Sequence, residues 1–124
     1  MLWTKKPTAR ETGDITELLA TNYLLAQGLV FQEKNRYSRM GEIDIIMKEG
    51  DTFVFVEVKY RASTQFGGAI SAISAKKQQK IKKTAAFYLQ QCGLNEYNTL
   101  CRFDVIALQG NINDIDITWL KNAF

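Results

Sequence analysis

At 124 residues with 46% apolar content, the chain fits one globular domain, spanning 1–124, with enough apolar side chain to bury a substantial core. The formal charge of +3 is mild, and the complete absence of histidine removes the usual general base and the commonest metal ligand. Cys92 and Cys101 form no CxxC and have no histidine to complete a zinc site, no stretch approaches a membrane span, and the charged N-terminus is not followed by an apolar signal core, so a cytoplasmic protein without a membrane partner is expected.

Residues 11–27 carry Ile15, Leu18, Leu19, Tyr23 and Ala26 at helical spacing, with Leu24 and Leu25 widening the apolar face and Gly28 placed to end the helix. Leu29 to Tyr37 reads as a strand that runs into the polar segment Asn35 to Arg39. Beyond Gly41, the isoleucine-rich run Glu42 to Met47 reads as a second strand. Lys48 to Asp51 is a turn, and Thr52 to Lys59 is the central strand candidate because both of its faces are largely apolar. A Ser/Thr/Gly-rich loop over 62–68 leads to a helix from about Ser71 to Gln91, stopped by Gly93. Its inward side is marked by Ile73, Ile81, Ala85, Tyr88 and Leu89, and its outward stripe by Lys76, Lys80 and Lys83. Cys101 to Leu108 and Ile112 to Leu120 supply two further extended segments joined around Gly110-Asn111. The order implies an α/β fold with a mixed central sheet flanked by helices.

Chemistry concentrates where ionised groups interrupt apolar strands. Asp44 lies in one arm of the predicted hairpin and Glu57 in the other, and a turn centred between Gly50 and Asp51 sets them opposite each other, with Cβ atoms about 5 Å apart. Lys59 follows two residues along on the same face as Glu57. Two such carboxylates can share one hard cation, and magnesium or manganese suits carboxylate, carbonyl and water oxygens, with the Val58 carbonyl a further candidate ligand. The ion would activate a water and neutralise a phosphoryl oxygen, while Lys59 either orients or deprotonates that water or stabilises the negative transition state. The competing reading makes Glu57 and Lys59 a neutralising pair at a sheet edge and Asp44 a solvent-facing strand residue. Glu17, at the boundary of the first helix's buried face, is either an inward third carboxylate or part of a solvated face.

No acid occurs between Glu57 and Glu96, whereas Lys59, Arg61, Lys76, Lys77, Lys80, Lys82 and Lys83 all do. Such a block suits a phosphate-bearing partner; a solvated lysine-rich helix is the plain alternative. Lys76, Lys80 and Lys83 repeat along one helix stripe, Arg61 follows the acidic strand, and Arg36 and Arg39 precede Asp44, so these six are the candidate backbone-phosphate contacts.

These positions also carry a resemblance. Gly13, Glu17 and Ala20, Asn35-Arg36, Gly41-Glu42-Ile43-Asp44-Ile45-Ile46, Phe55-Val56-Glu57-Val58-Lys59 with Arg61, Phe66-Gly67, Lys76, and Arg102-Phe103-Asp104-Val105 resemble the bacterial YraN-like family of uncharacterised proteins, UPF0102, over nearly the whole chain. That family is similar in fold to restriction endonucleases and to archaeal enzymes that resolve Holliday junctions, with an α-β-β-β-α-β core order. The resemblance implies a PD-(D/E)xK site in which Asp44 is the first metal-binding acid, Glu57 the second, Lys59 the catalytic lysine and Glu17 the helix-one acid. The chain departs from the pattern at Ile43, where a proline precedes the first acid elsewhere in the superfamily, and at Thr16, where relatives often carry glycine. Three functions are thereby expected in order. The first is a metal-dependent endonuclease or DNA-processing nuclease acting on phosphodiester bonds, with branched or damaged DNA as candidate substrates. The second is a non-catalytic nucleic-acid-binding module on a nuclease scaffold, and the third a protein-interaction domain.

Overall fold

The computed structural model describes residues 6–62 and 73–124. Helix α1 (Ala9–Ala26) precedes strands β1 (Val30–Ser38), β2 (Gly41–Glu49) and β3 (Thr52–Arg61), then helix α2 (Ala75–Gln91) and strands β4 (Cys101–Asn111) and β5 (Asp114–Leu120). The five strands form one mixed sheet in sequence order. Every neighbouring pair is antiparallel except β3 and β4. A parallel pair cannot be closed by a tight turn, and α2 lies in the connection between these two strands.

The core has one layer on each face of the sheet. Ala20 and Leu24 of α1 pack on Ile45, Met47, Val54, Val56, Ile106 and Leu108. On the opposite face, Ile81, Ala85, Tyr88 and Leu89 of α2 cover Ile43, Ile46, Phe53 and Phe55. Phe55 anchors this second layer, stacked on Phe103 at 5.4 Å between centroids and edge-on to Tyr88 at 6.1 Å. Emptying such a position costs roughly 3–5 kcal/mol, through lost transfer energy plus a cavity.

Several predicted boundaries shift for identifiable reasons. Helix α1 begins at Ala9 because Thr8 and Glu11 form a reciprocal capping box, the Thr8 hydroxyl accepting from Glu11 N and the Glu11 carboxylate from Thr8 N. Its fully buried residues are Thr16, Ala20 and Leu24, with the expected Leu19 and Tyr23 packed against the same layer, while Leu18 is 61% exposed and Leu25 and Ala26 also face outward. Small side chains let the helix approach the sheet closely, which hydrophobicity alone does not reveal. Helix α2 starts at Ala75, not near Ser71, because Ser74 is its N-cap and accepts from Lys77 N at 3.1 Å. Residues 63–68 of the expected loop, with Phe66-Gly67, and the expected helical positions 71 and 72 lie outside the described residues. The β4–β5 turn falls at Ile112-Asn113, two residues beyond the predicted Gly110-Asn111, and Gly110 belongs to the β4 ladder. Glycine is required there: φ is +110°, and a Cβ would come within 2.9 Å of the Asp114 carbonyl oxygen.

Asp104 is fully buried on β4 and acts as a structural anchor. Its carboxylate accepts from Arg102 Nε at 3.1 Å, Trp119 Nε1 at 2.9 Å and Asn122 N at 2.8 Å, tying β5 and the C-terminal segment to β4. Arg102 continues the chain of contacts to Glu49 at 2.7 Å. Asp104→Ala strands these donors and a half-buried guanidinium, so a loss of about 3–5 kcal/mol is expected, read as a lowered urea midpoint.

Candidate metal and phosphate site

The hairpin register brings the two predicted acids together, but not as a simple opposed pair. The β2–β3 ladder runs from Glu49–Thr52 to Ile45–Val56 and ends there, whereas β1 and β2 stay paired as far as Ser38–Gly41. The two strands therefore part at Asp44. Side-chain alternation breaks at the same point: Ile45 and Met47 pack on the α1 side, yet Ile43 joins Ile46 on the α2 side. The end of the β1–β2 hairpin leans on α2, where the Ser38 and Thr84 hydroxyls lie 2.8 Å apart. Gly41 sits at this corner with φ +154°, and a Cβ there would be in contact with that of Lys80 at 3.4 Å.

Parting the strands leaves the Val58 N–H without a backbone acceptor on β2, and the Asp44 carboxylate takes its place, accepting at 2.8 Å. Asp44 is thus held at the mouth of the fork. Burial raises its pKa most, and the Glu42 charge adds to that, while the Val58 bond, Lys77 and Lys59 oppose the rise. Glu57 is 2% exposed on the central strand, which rules out a neutralising pair at a sheet edge. Desolvation and the charge of Asp44 push its pKa from 4.5 to about 7, against the pull of Lys77 and Lys59.

Glu57's main partner is a residue that the sequence pattern leaves among the surface lysines. Lys77 Nζ, from the first turns of α2, lies 3.1 Å from Glu57 Oε2, whereas Lys59 Nζ is 4.0 Å away. Lys77 stands one helical turn before the buried Ile81 on α2, and a charge at that spacing from a core residue is the signal that it has a buried partner. Lys59 is shifted downward, first by burial and then by hydrogen bonding to Lys77 and the charge of that neighbour. Glu57 Oε1 is buried without a hydrogen-bond partner among the described residues.

On the other side of Asp44, one oxygen each from Glu17, Glu42 and Asp44 lies within 4.8 Å of the other two. Asn35, whose backbone takes φ +52°, has its side-chain amide 3.1 Å from both Glu42 Oε1 and Glu17 Oε1, and the amide orientation that satisfies these acids turns its nitrogen toward them as donor. Glu17 is therefore turned toward the acids, and burial followed by the Asp44 charge raises its pKa. Glu42 went unremarked in the pattern, although it stands two strand residues from Asp44, the spacing that places side chains on a common face.

This arrangement fits a hard divalent cation. The donors present are carboxylates with no competing imidazole, and an orphaned buried oxygen on Glu57 is a group that a cation would satisfy. The basic residues divide. Lys76 and Lys80 line a cleft of about 370 Å³ with Gly41, Glu42 and Lys77. Lys83 lies one step further along the same seam with Arg39, and Arg61 is exposed at the end of β3. Arg36 is engaged elsewhere, paired with Glu33 at 3.0 Å and set over the Tyr88 ring at 5.2 Å. No helix among the described residues is long and apolar enough to cross a membrane.

The profile of the uncharacterised protein family UPF0102 matches residues 16–108, a segment containing every acid and lysine of the site. A UPF0102 protein of Colwellia psychrerythraea is 60% identical, with both chains covered completely. A UPF0102 protein of Aliivibrio salmonicida is 47% identical over 96% of this chain and 95% of its own, and one of Shewanella sediminis is 44% identical with both chains covered completely.

The raised pKa of Glu57 has a measurable consequence for the metal-free protein. Because the native value of about 7 exceeds 4.5, the native state holds a proton that the unfolded chain has released between those values. The contribution of Glu57 to stability is full below the lower value and is lost as the pH rises through the upper one, at up to about 1.4 kcal/mol per pH unit. Urea unfolding in EDTA should show wild type losing stability relative to Glu57→Gln by about 2–3 kcal/mol between pH 4.5 and 7.5. Parallel profiles for the two proteins would contradict this.

Proposed function

The chain belongs to the uncharacterised protein family UPF0102, and we propose that it is a small metal-dependent nuclease that hydrolyses phosphodiester bonds in DNA. The observation that carries this reading is the meeting, at the fork between β2 and β3, of the Asp44 and Glu57 carboxylates with Lys59, beside a cleft lined by Lys76 and Lys80. Asp44, Glu57 and the Val58 carbonyl would hold magnesium or manganese, which when bound would supply Lewis-acid polarisation of a phosphoryl oxygen and a more acidic water. The Val58 carbonyl suits this role because the N–H and C=O of one strand residue point to the same side, and its N–H already faces Asp44.

The chain's own groups have separable tasks in this reading. Lys59, shifted toward its neutral form by burial and by Lys77, is suited to accept a proton from the attacking water; in its charged form it would stabilise the phosphorane-like transition state. Glu17, turned toward Asp44 from α1, adds a third carboxylate beside Asp44 and Glu42. Lys76, Lys80 and Lys83, with Arg39 and Arg61, would meet backbone phosphates without reading bases, which suits a substrate chosen by shape, such as branched or damaged DNA. Arg36 has less claim on a phosphate, since it is already paired with Glu33.

Purified protein with magnesium or manganese should cleave at least one member of a panel of single-stranded, duplex, nicked and four-way DNA and structured RNA. Asp44→Asn and Lys59→Ala should each lower the rate at least about a hundredfold while leaving DNA affinity within a few-fold. Salt-sensitive binding with no cleavage by folded protein would favour a nucleic-acid-binding module instead, and activity equal in mutant and wild type would identify a contaminant.

Replacing Lys76, Lys80 and Lys83 together by glutamine should weaken binding to unrelated sequences by similar factors. The slope of log affinity against log salt should become shallower by about one unit per lost phosphate contact. An unchanged slope would make this stripe ordinary solvated surface.

A further inference from the structure

We propose that Lys77 is a resident counter-ion that changes partners: it neutralises Glu57 while the cation site is metal-free and, when a divalent cation takes that carboxylate, turns to a phosphate of the substrate. The inference rests on the metal-dependent reading of the site and goes beyond it by assigning a role to a second lysine. Three observations carry it. Lys77 Nζ, at 3.1 Å from Glu57 Oε2, occupies the place of a ligand's positive charge beside a carboxylate whose other oxygen is buried and unpartnered among the described residues. A single ammonium therefore leaves Glu57 incompletely satisfied, and a cation able to engage both oxygens competes with it. Lys77 can also leave, because its side chain is 42% exposed whereas that of Glu57 is 3% exposed.

Its destination is built beside it. Lys77 lines the same cleft as Lys76 and Lys80, between the Gly41-Glu42 corner of the hairpin and the first turns of α2. Released from Glu57, it adds a third ammonium to the pair already facing that cleft, where a scissile or neighbouring phosphate would lie. Lys59 is less free to make this exchange, being 18% exposed and held on the central strand. The two lysines thus have different tasks: Lys59 stays at the reacting centre, and Lys77 couples cation occupancy to phosphate capture. Such coupling is reciprocal, so phosphate bound in the cleft should in turn favour the cation.

The exchange is tested by manganese binding, read by electron paramagnetic resonance, for wild type, Lys77→Gln, Lys77→Arg and Asp44→Asn. Removing the competing charge should tighten manganese binding about tenfold in Lys77→Gln, while Lys77→Arg, still a cation, should stay near wild type and Asp44→Asn should lose binding. A second readout uses wild-type protein with ¹³C-methylated lysines. Magnesium should move the Lys77 signal, and a short DNA duplex should move it again only when magnesium is present. If wild type binds manganese through Asp44 but Lys77→Gln binds it no more tightly, or the Lys77 signal ignores magnesium, Lys77 is a fixed structural partner and the exchange is wrong. If wild type and Asp44→Asn bind manganese equally weakly, the metal-site reading itself fails and the exchange falls with it.

Discussion

The hydrogen bond from the Val58 N–H to the Asp44 carboxylate is the contact on which the site depends. Strand β3 is paired with β4 along its whole length to Arg61, but with β2 only as far as Val56. A central strand that loses one neighbour halfway exposes backbone donors and acceptors in the middle of a sheet, at a cost comparable to a lost hydrogen bond for each buried group. Asp44 meets that demand with a side chain, and in doing so fixes its own position. The opening that results admits Glu57 and Lys59 from β3, Lys77 from α2, and Glu17 from α1, three elements that an unbroken sheet would keep apart.

The charges around this opening are arranged by depth. Glu57 is buried and Asp44 partly so, and burial raises the pKa of both by disfavouring their charged forms. Lys77 and Lys59 stand between them and solvent, and the exposed ammoniums of Lys76 and Lys80 stand farther out. An approaching polyanion meets positive charge first and carboxylates last, which favours encounter without requiring base contacts. On the α1 side, three acids gather with only the Asn35 amide between Glu17 and Glu42, and that side carries excess negative charge.

Much of this is legible in the amino-acid sequence. The turn at Gly50-Asp51 sets the hairpin register, and the register sets Asp44 near Glu57; strand periodicity then puts Lys59 on the same face. The side-chain bond to Val58 was not legible, because it depends on where the ladder stops, and that is decided by the hairpin's packing on α2 through Ser38, Gly41 and Thr84. Lys77 is hidden by its neighbours: amid Lys76, Lys80, Lys82 and Lys83 it reads as one more surface charge unless its spacing of four from Ile81 is traced. On α1 the pattern locates Leu19, Tyr23 and Leu24 on the core side but misplaces Leu18, Leu25 and Ala26. Leu18 looks like core by hydrophobicity, yet a helix lying close to a sheet presents Thr16 and Ala20 and leaves the larger side chain outside.

The buried acid is hard to explain as a device for stability. A leucine at position 57 would continue the apolar run of β3 beneath α2 and would need neither Lys77 nor Lys59, and replacing a buried ion pair by apolar groups of similar volume is often stabilising. Asp104 makes the contrast plain. It is equally buried, but its carboxylate is surrounded by donors from three different residues and it has the character of a structural part. Glu57 has one close ammonium, one distant one and an oxygen with no partner among the described residues. An acid kept buried and incompletely satisfied, on the central strand and where β2 and β3 part, weakens the fold and is the kind of group for which a completing ligand is proposed.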